Sequence, residues 1–170
     1  MTATQYLLAY LDANWQTDIT GRIQPVPKPS IEREHENTKR MLGTTDLLEV
    51  GGTDTDYAAG GFYYSEEDAD SSVVIELRTK NRRDDDTGDR IDGYERLWGV
   101  RDENNDEERW GGLVGECRRL LLEIRRGSKE WDIVTAPEAV DTSDNVGQGN
   151  FRADIRVELT SIANPIDTST

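Results

Sequence analysis

Hydrophobic positions recur along this chain with two periods, and the switch between them outlines a fold. Residues 4–15 place Leu7, Leu8, Leu11 and Trp15 on one face at steps of three and four. That spacing predicts a short helix, with Thr2 or Thr4 as its cap. Residues 107–126 repeat the pattern over a greater length. Trp110, Leu113, Val114, Cys117, Leu120, Leu121 and Ile124 form one apolar stripe, and Glu116, Arg119, Glu123 and Arg126 fall on the far side. This is the main predicted helix, stopped by Gly127, with Leu122 standing off the stripe.

Elsewhere the period drops to two. In residues 72–80, SVVIELRTK, Val73, Ile75, Leu77 and Thr79 share one face and Val74, Glu76, Arg78 and Lys80 the other. Residues 150–162 alternate most regularly: Phe151, Ala153, Ile155, Val157 and Leu159 against Arg152, Asp154, Arg156, Glu158 and Thr160. Both read as strands with one buried and one wet face, the signature of an antiparallel sheet, and the main helix is the natural cover for the dry side. EWDIVT, residues 130–135, and DLLEVGG, ending in a glycine turn, read as shorter strands.

The remaining stretches carry breakers. RIQPVPKPS sets three prolines at alternate positions, which forbids helix and points to an edge strand or an extended arm. Residues 51–71, with Phe62, Tyr63 and Tyr64 among Gly, Asp and Ser, predict a long loop excursion; residues 137–149 predict a polar loop, and residues 163–170 a tail. The whole predicts one α+β domain over residues 1–170: an antiparallel β-sheet with two helices packed against it, an extended proline-bearing arm and long loops.

Charge changes the picture next. Thirty-five Asp and Glu face 20 Lys and Arg, a net −15, and only Lys28, Lys39, Lys80 and Lys129 are lysines. Many acids spread along the chain with almost no lysine fit the composition expected of a protein of a salt-loving organism; the alternative is an acidic protein of an ordinary cell that binds a basic partner or mimics nucleic acid, for which the acids would be expected in a block. At about 1 M salt the Debye length falls to roughly 3 Å, so surplus charges barely repel. The balance also argues against binding DNA phosphates, because the close basic pairs Arg82–Arg83, Arg118–Arg119 and Arg125–Arg126 all sit among acids. Hydrophobic content of 34% is low, which suits burial against another subunit. The single cysteine forbids an internal disulfide, as in a cytoplasmic product or an assembled particle. No apolar run reaches membrane-spanning length, and the first residues have no basic stretch of a secretory signal.

One stretch imitates a calcium loop. With Asp84 at position 1 of an EF-hand, Asp86 falls at 3, Asp92 at 9 and Glu95 at 12, all oxygen donors. Position 5 is Gly88 and position 6 Asp89, the reverse of what the sharp turn needs, and the segment follows a strand. A solvated hairpin loop is therefore expected. His35 is the only histidine and lies in a charged run, so no histidine-based triad or metal cage is expected; Cys117 reads as a buried thiol. Gly51–Gly52 and Gly60–Gly61 lack the strand and helix of a phosphate cradle. Trp15, Trp98, Trp110 and Trp131 border apolar stripes and read as packing residues.

The order TQYLLAYLDANW, proline arm, VVIELRTK, RWGGLVGECRRLLLEIRR, WDIVTA and FRADIRVELTSI resembles the small head–tail joining proteins of tailed viruses. Tail terminators of a virus infecting halophilic archaea are the nearest likeness. The resemblance implies a structural virion protein made in the host cytoplasm, with no catalytic, cofactor-binding or metal-binding residues and no enzymatic activity. It would form a ring with itself, typically a hexamer, cap the tail tube and join it to the neck. Its partners would be the tail tube protein and the neck protein, with DNA passing through the lumen without specific binding and no membrane involved. The alternatives are a neck or head-closure connector of the same virion, or an acidic halophilic binding module using residues 84–95.

Overall fold

The computed structural model describes residues 2–18, 25–33, 45–52, 70–99, 111–127 and 130–161. Helix α1, Ala3–Asn14, starts as its sequence requires. Thr2 Oγ1 accepts from the Gln5 amide at 3.2 Å while Gln5 Oε1 accepts from the Thr2 amide at 3.0 Å, a capping box that satisfies two donors the helix leaves orphaned. Leu7 and Leu11 are fully buried. The chain then folds back: Val26 donates its amide to the Thr17 carbonyl at 2.7 Å, and Trp15 Nε1 donates to the Val26 carbonyl at 3.2 Å. Pro25 and Pro27 are exposed and Val26 and Pro29 buried, so the arm has the extended course its prolines dictate. It leads into edge strand β1, Ser30–Arg33.

β1 lies parallel to β2, Leu47–Gly52. β2 is antiparallel to β3, Asp70–Lys80, and β3 to β8, Asn150–Ser161. The expected antiparallel sheet is thus a mixed one, with one parallel pair, β1 with β2, among the described residues. The glycines of DLLEVGG lie within β2, so the expected turn is not there. Residues 51–52 and 70–71, placed in the expected excursion, belong to strands; residues 53–69 and the tail at 163–170 lie outside the described residues, as do His35 and Trp110.

The β3–β8 register sets like on like: Val73 faces Val157, Ile75 faces Ile155 and Leu77 faces Ala153, all fully buried. A short hairpin follows β3, formed by β4, Arg82–Arg83, and β5, Arg90–Ile91. After it comes α2, Gly93–Trp98, which makes three α-helices among the described residues where two were expected. α3, Gly112–Gly127, is the main helix; residues 107–110 of its expected start lie outside the described residues. Leu113, Val114, Cys117, Leu120, Leu121 and Ile124 are all buried, as the stripe predicted.

α2 and α3 meet through glycine. Gly112 has φ +65°, and a Cβ there would stand 2.6 Å from the Arg96 carbonyl oxygen; one at Gly99 would stand 2.5 Å from Gly111 Cα. Only glycine allows this approach of two backbones.

The far edge runs in two pieces, β6, Trp131–Ile133, and β7, Glu138–Asp141, both antiparallel to β8. β7 occupies part of the expected loop at 137–149, followed by a 3₁₀ turn at Val146–Gln148. Val134 donates to the Glu158 carbonyl and Thr142 to the Arg152 carbonyl. Eight residues separate the first pair of positions and six the second, so two extra residues are taken up in a bulge around Pro137. The proline has no amide to offer the ladder. Its carbonyl accepts from Arg118 Nε of α3 at 3.0 Å. The described helices and the inner sheet face share one core, to which α1, α2 and α3 all contribute.

Candidate functional site

The helices cover one face of the sheet. On the other face the registers align residues by chemistry. Glu32, Glu49, Glu76 and Asp154 form one row across four strands. Beside them Arg78 stands opposite Arg152. Four adjacent carboxylates repel unless cations intervene. Arg152 bridges Glu76 at 2.6 Å and Asp154 at 3.1 Å, and Arg78 pairs with Glu76 at 2.8 Å. The hydrogen bonds that Arg152 donates to Asp154, with the charges of Glu76 and Asp154, hold its guanidinium above its usual range despite desolvation.

Next to this ladder an open groove of about 650 Å³ crosses β7 and β8. Val74, Ala136 and Val140 give it an apolar lining, and Glu138, Arg156 and Glu158 a charged one. Arg156 faces Glu138 across the strands and is exposed. Among the described residues its guanidinium makes no hydrogen bond or ion pair. Val134 and Val140, 50% and 59% exposed, stand at the same open edge.

The imitation calcium loop resolves into separate parts. Asp84 Oδ1 accepts from the amides of Asp86 and Thr87 at 2.8 and 3.2 Å, closing the hairpin turn. Those bonds hold its carboxyl below the usual range. Asp92 Oδ1 caps α2, accepting from Tyr94 and Glu95 at 2.9 and 3.3 Å. Glu95 is already helical. The would-be ligands at positions 1 and 9 are thus committed to backbone amides in two different elements. Among the described residues no three His, Cys, Asp or Glu side chains group to hold a metal ion.

A second cluster was not foreseen. Glu116, expected on the far side of α3, is fully buried. Its Oε1 accepts from Arg119 Nε and its Oε2 from Arg119 Nη2, both at 2.7 Å, and Oε2 also accepts the Gln16 amide at 2.7 Å. Arg119 Nη1 reaches Glu123 at 2.7 Å, and Glu123 accepts from the Tyr10 hydroxyl at 3.0 Å. The chain of bonds ties α1 and the turn after it to α3, so its work is to hold the fold. Glu116 is the first cause of a raised Arg119. Cys117 is buried, and desolvation pushes its thiol far above the ordinary range, which leaves it unreactive. Trp15 and Trp131 pack against or within the core, as expected, and so does Trp98.

Fold and surface together define an α+β domain with helices on one face of a mixed sheet and a charged, grooved opposite face. In comparison with known proteins the chain matches no family model, no curated protein and no solved structure. Among the described residues no helix is long and apolar enough to cross a membrane.

Proposed function

We propose that this chain is a structural subunit of the head–tail junction of a tailed virus, of the tail-terminator type, from a virus of halophilic archaea. Copies form a ring, taken as six, that caps the tail tube and joins it to the neck. The observation that carries the reading is the order of elements on one sheet: α1, proline arm, central strands, α3, then the closing strands. The groove and the exposed valines at the β6–β7 edge add support, because they give each copy an apolar surface for a neighbour. Net charge −15 suits a lumen that repels DNA phosphates and lets the genome pass unbound.

The test is assembly in molar KCl. Light scattering after size-exclusion chromatography gives the mass, and electron microscopy the shape. Closed rings with an open centre are expected at high protein concentration, and a strictly monomeric protein at every concentration would refute the reading.

A further inference from the structure

A ring requires two different surfaces on each subunit that fit one another. We infer, resting on the ring reading above, that the groove over β7 and β8 receives the β4–β5 hairpin of the next copy, head to tail.

The charges are complementary in kind. Within the groove Arg156 lies between Glu138, its cross-strand neighbour, and Glu158, two residues along its own strand. On the hairpin, Asp85 and Asp86 stand at the tip and Arg90 on the stem; all three are exposed, and none pairs among the described residues. Docking sets an aspartate against Arg156 and Arg90 against the groove's glutamates. That placement satisfies groups of both signs that make no ion pair among the described residues.

Apolar surface matches too. Tyr94, at the hairpin's base in the first turn of α2, is 51% exposed although its edge packs on Phe151 with ring centres 5.8 Å apart. Val140, which lines the groove, is as open, and so is Val134 just past the end of β6. A tyrosine is a common anchor at an interface centre, and charged groups belong to the rim around it. In brine the long-range attraction is screened, so association depends on this contact and on ion pairs at touching distance.

The two surfaces do not meet within one copy. The hairpin leaves the sheet after Lys80, which is opposite Asn150. Arg156 lies six residues further along β8, about 20 Å away. The hairpin also leads into α2, whose Leu97 packs in the core on the opposite face. Contact between unlike surfaces of successive copies is heterologous, and it closes into a ring when the rotation allows.

Charge reversal tests this. Arg156→Glu and the double variant Asp85→Arg/Asp86→Arg each alter one exposed surface, so each should keep the wild-type circular dichroism spectrum and urea midpoint. Assembly is followed by light scattering in molar KCl. Each variant alone should raise the concentration needed for assembly by about tenfold or more. An equimolar mixture should restore it, since in alternation every junction is either wild type or doubly reversed. If the wild type assembles and the variants do so equally well, this inference falls and the ring stands. Defective variants that the mixture does not restore overturn it as well. A wild type that never assembles removes both this inference and the ring.

Discussion

Arg119→Ala should be among the more damaging single substitutions on this protein's surface-facing positions, although Arg119 itself is 29% exposed. The reason is what it leaves behind. Glu116 is fully buried, and two of the hydrogen bonds to its carboxylate come from the Arg119 guanidinium, each at 2.7 Å. Truncation strands that charge with the Gln16 amide and its remaining neighbours. Removing one partner of a buried ion pair costs about 3–5 kcal/mol. Since water can enter where the partly exposed arginine was, the lower end, about 3 kcal/mol, applies here. For a domain of this size that is a drop of roughly 6–12 °C in Tm.

Two companions set the scale. Glu116→Gln keeps the shape and an acceptor for the Gln16 amide and removes the buried charge, so it should cost about 1–2 kcal/mol. Glu123→Ala removes an ion pair whose acid is 46% exposed, and should cost about 1 kcal/mol or less. The assay is urea unfolding followed by tryptophan fluorescence, at KCl concentrations from about 1 M to about 3 M, where the Debye length is roughly 3 Å or less. Salt should erase most of the Glu123→Ala deficit and little of the Arg119→Ala deficit, because a pair with a fully buried member is poorly screened. An Arg119→Ala variant no less stable than Glu123→Ala throughout that range would refute the argument.

Tyr10 carries a pH signature. Desolvation first, then its hydrogen bond to Glu123, raises its pKa from 10.0 to about 12. The fold therefore favours the neutral phenol. The resulting stabilisation is complete below pH 10 and is lost as the pH climbs toward 12; the Tyr10 ring resonance in an NMR titration should turn over near that upper value, and a midpoint near 10 would contradict the hydrogen bond. Gly112→Ala should cost about 3 kcal/mol or more in urea unfolding, since it combines φ +65° with a Cβ placed 2.6 Å from the Arg96 carbonyl oxygen. Gly127→Ala, with nothing within 4 Å of its Cβ, is the control and should be close to neutral.

The elements legible in the sequence were those whose burial is one-sided. β3 and β8 alternate without exception through their core-facing residues, and the stripe of α3 names every buried apolar position from Leu113 to Ile124. What escaped was set by contacts distant in the chain. Glu116 lies about 40° around the helix from Leu120 at 3.6 residues per turn, on the shoulder of the stripe. Helical spacing alone cannot say whether a shoulder is wet; here the turn after α1 covers it, and the Gln16 amide supplies a donor. β7 escaped because EAVD is short, acidic and preceded by proline, the composition of a loop. It pairs only because β8 extends past β6 and offers a free ladder.

The same reasoning explains why residues 84–95 resembled a metal loop. Calcium loops and capped turns both select Asp, since both need an oxygen close to the backbone; spacing decides between them only when every oxygen is aimed at one point. Asp84 turns toward the amides that follow it and Asp92 toward the start of α2. Two local tasks, closing a hairpin and capping a helix, thus reproduce an acidic pattern without a common centre. The side chains of Asp85 and Asp86, which neither task uses, remain exposed at the tip.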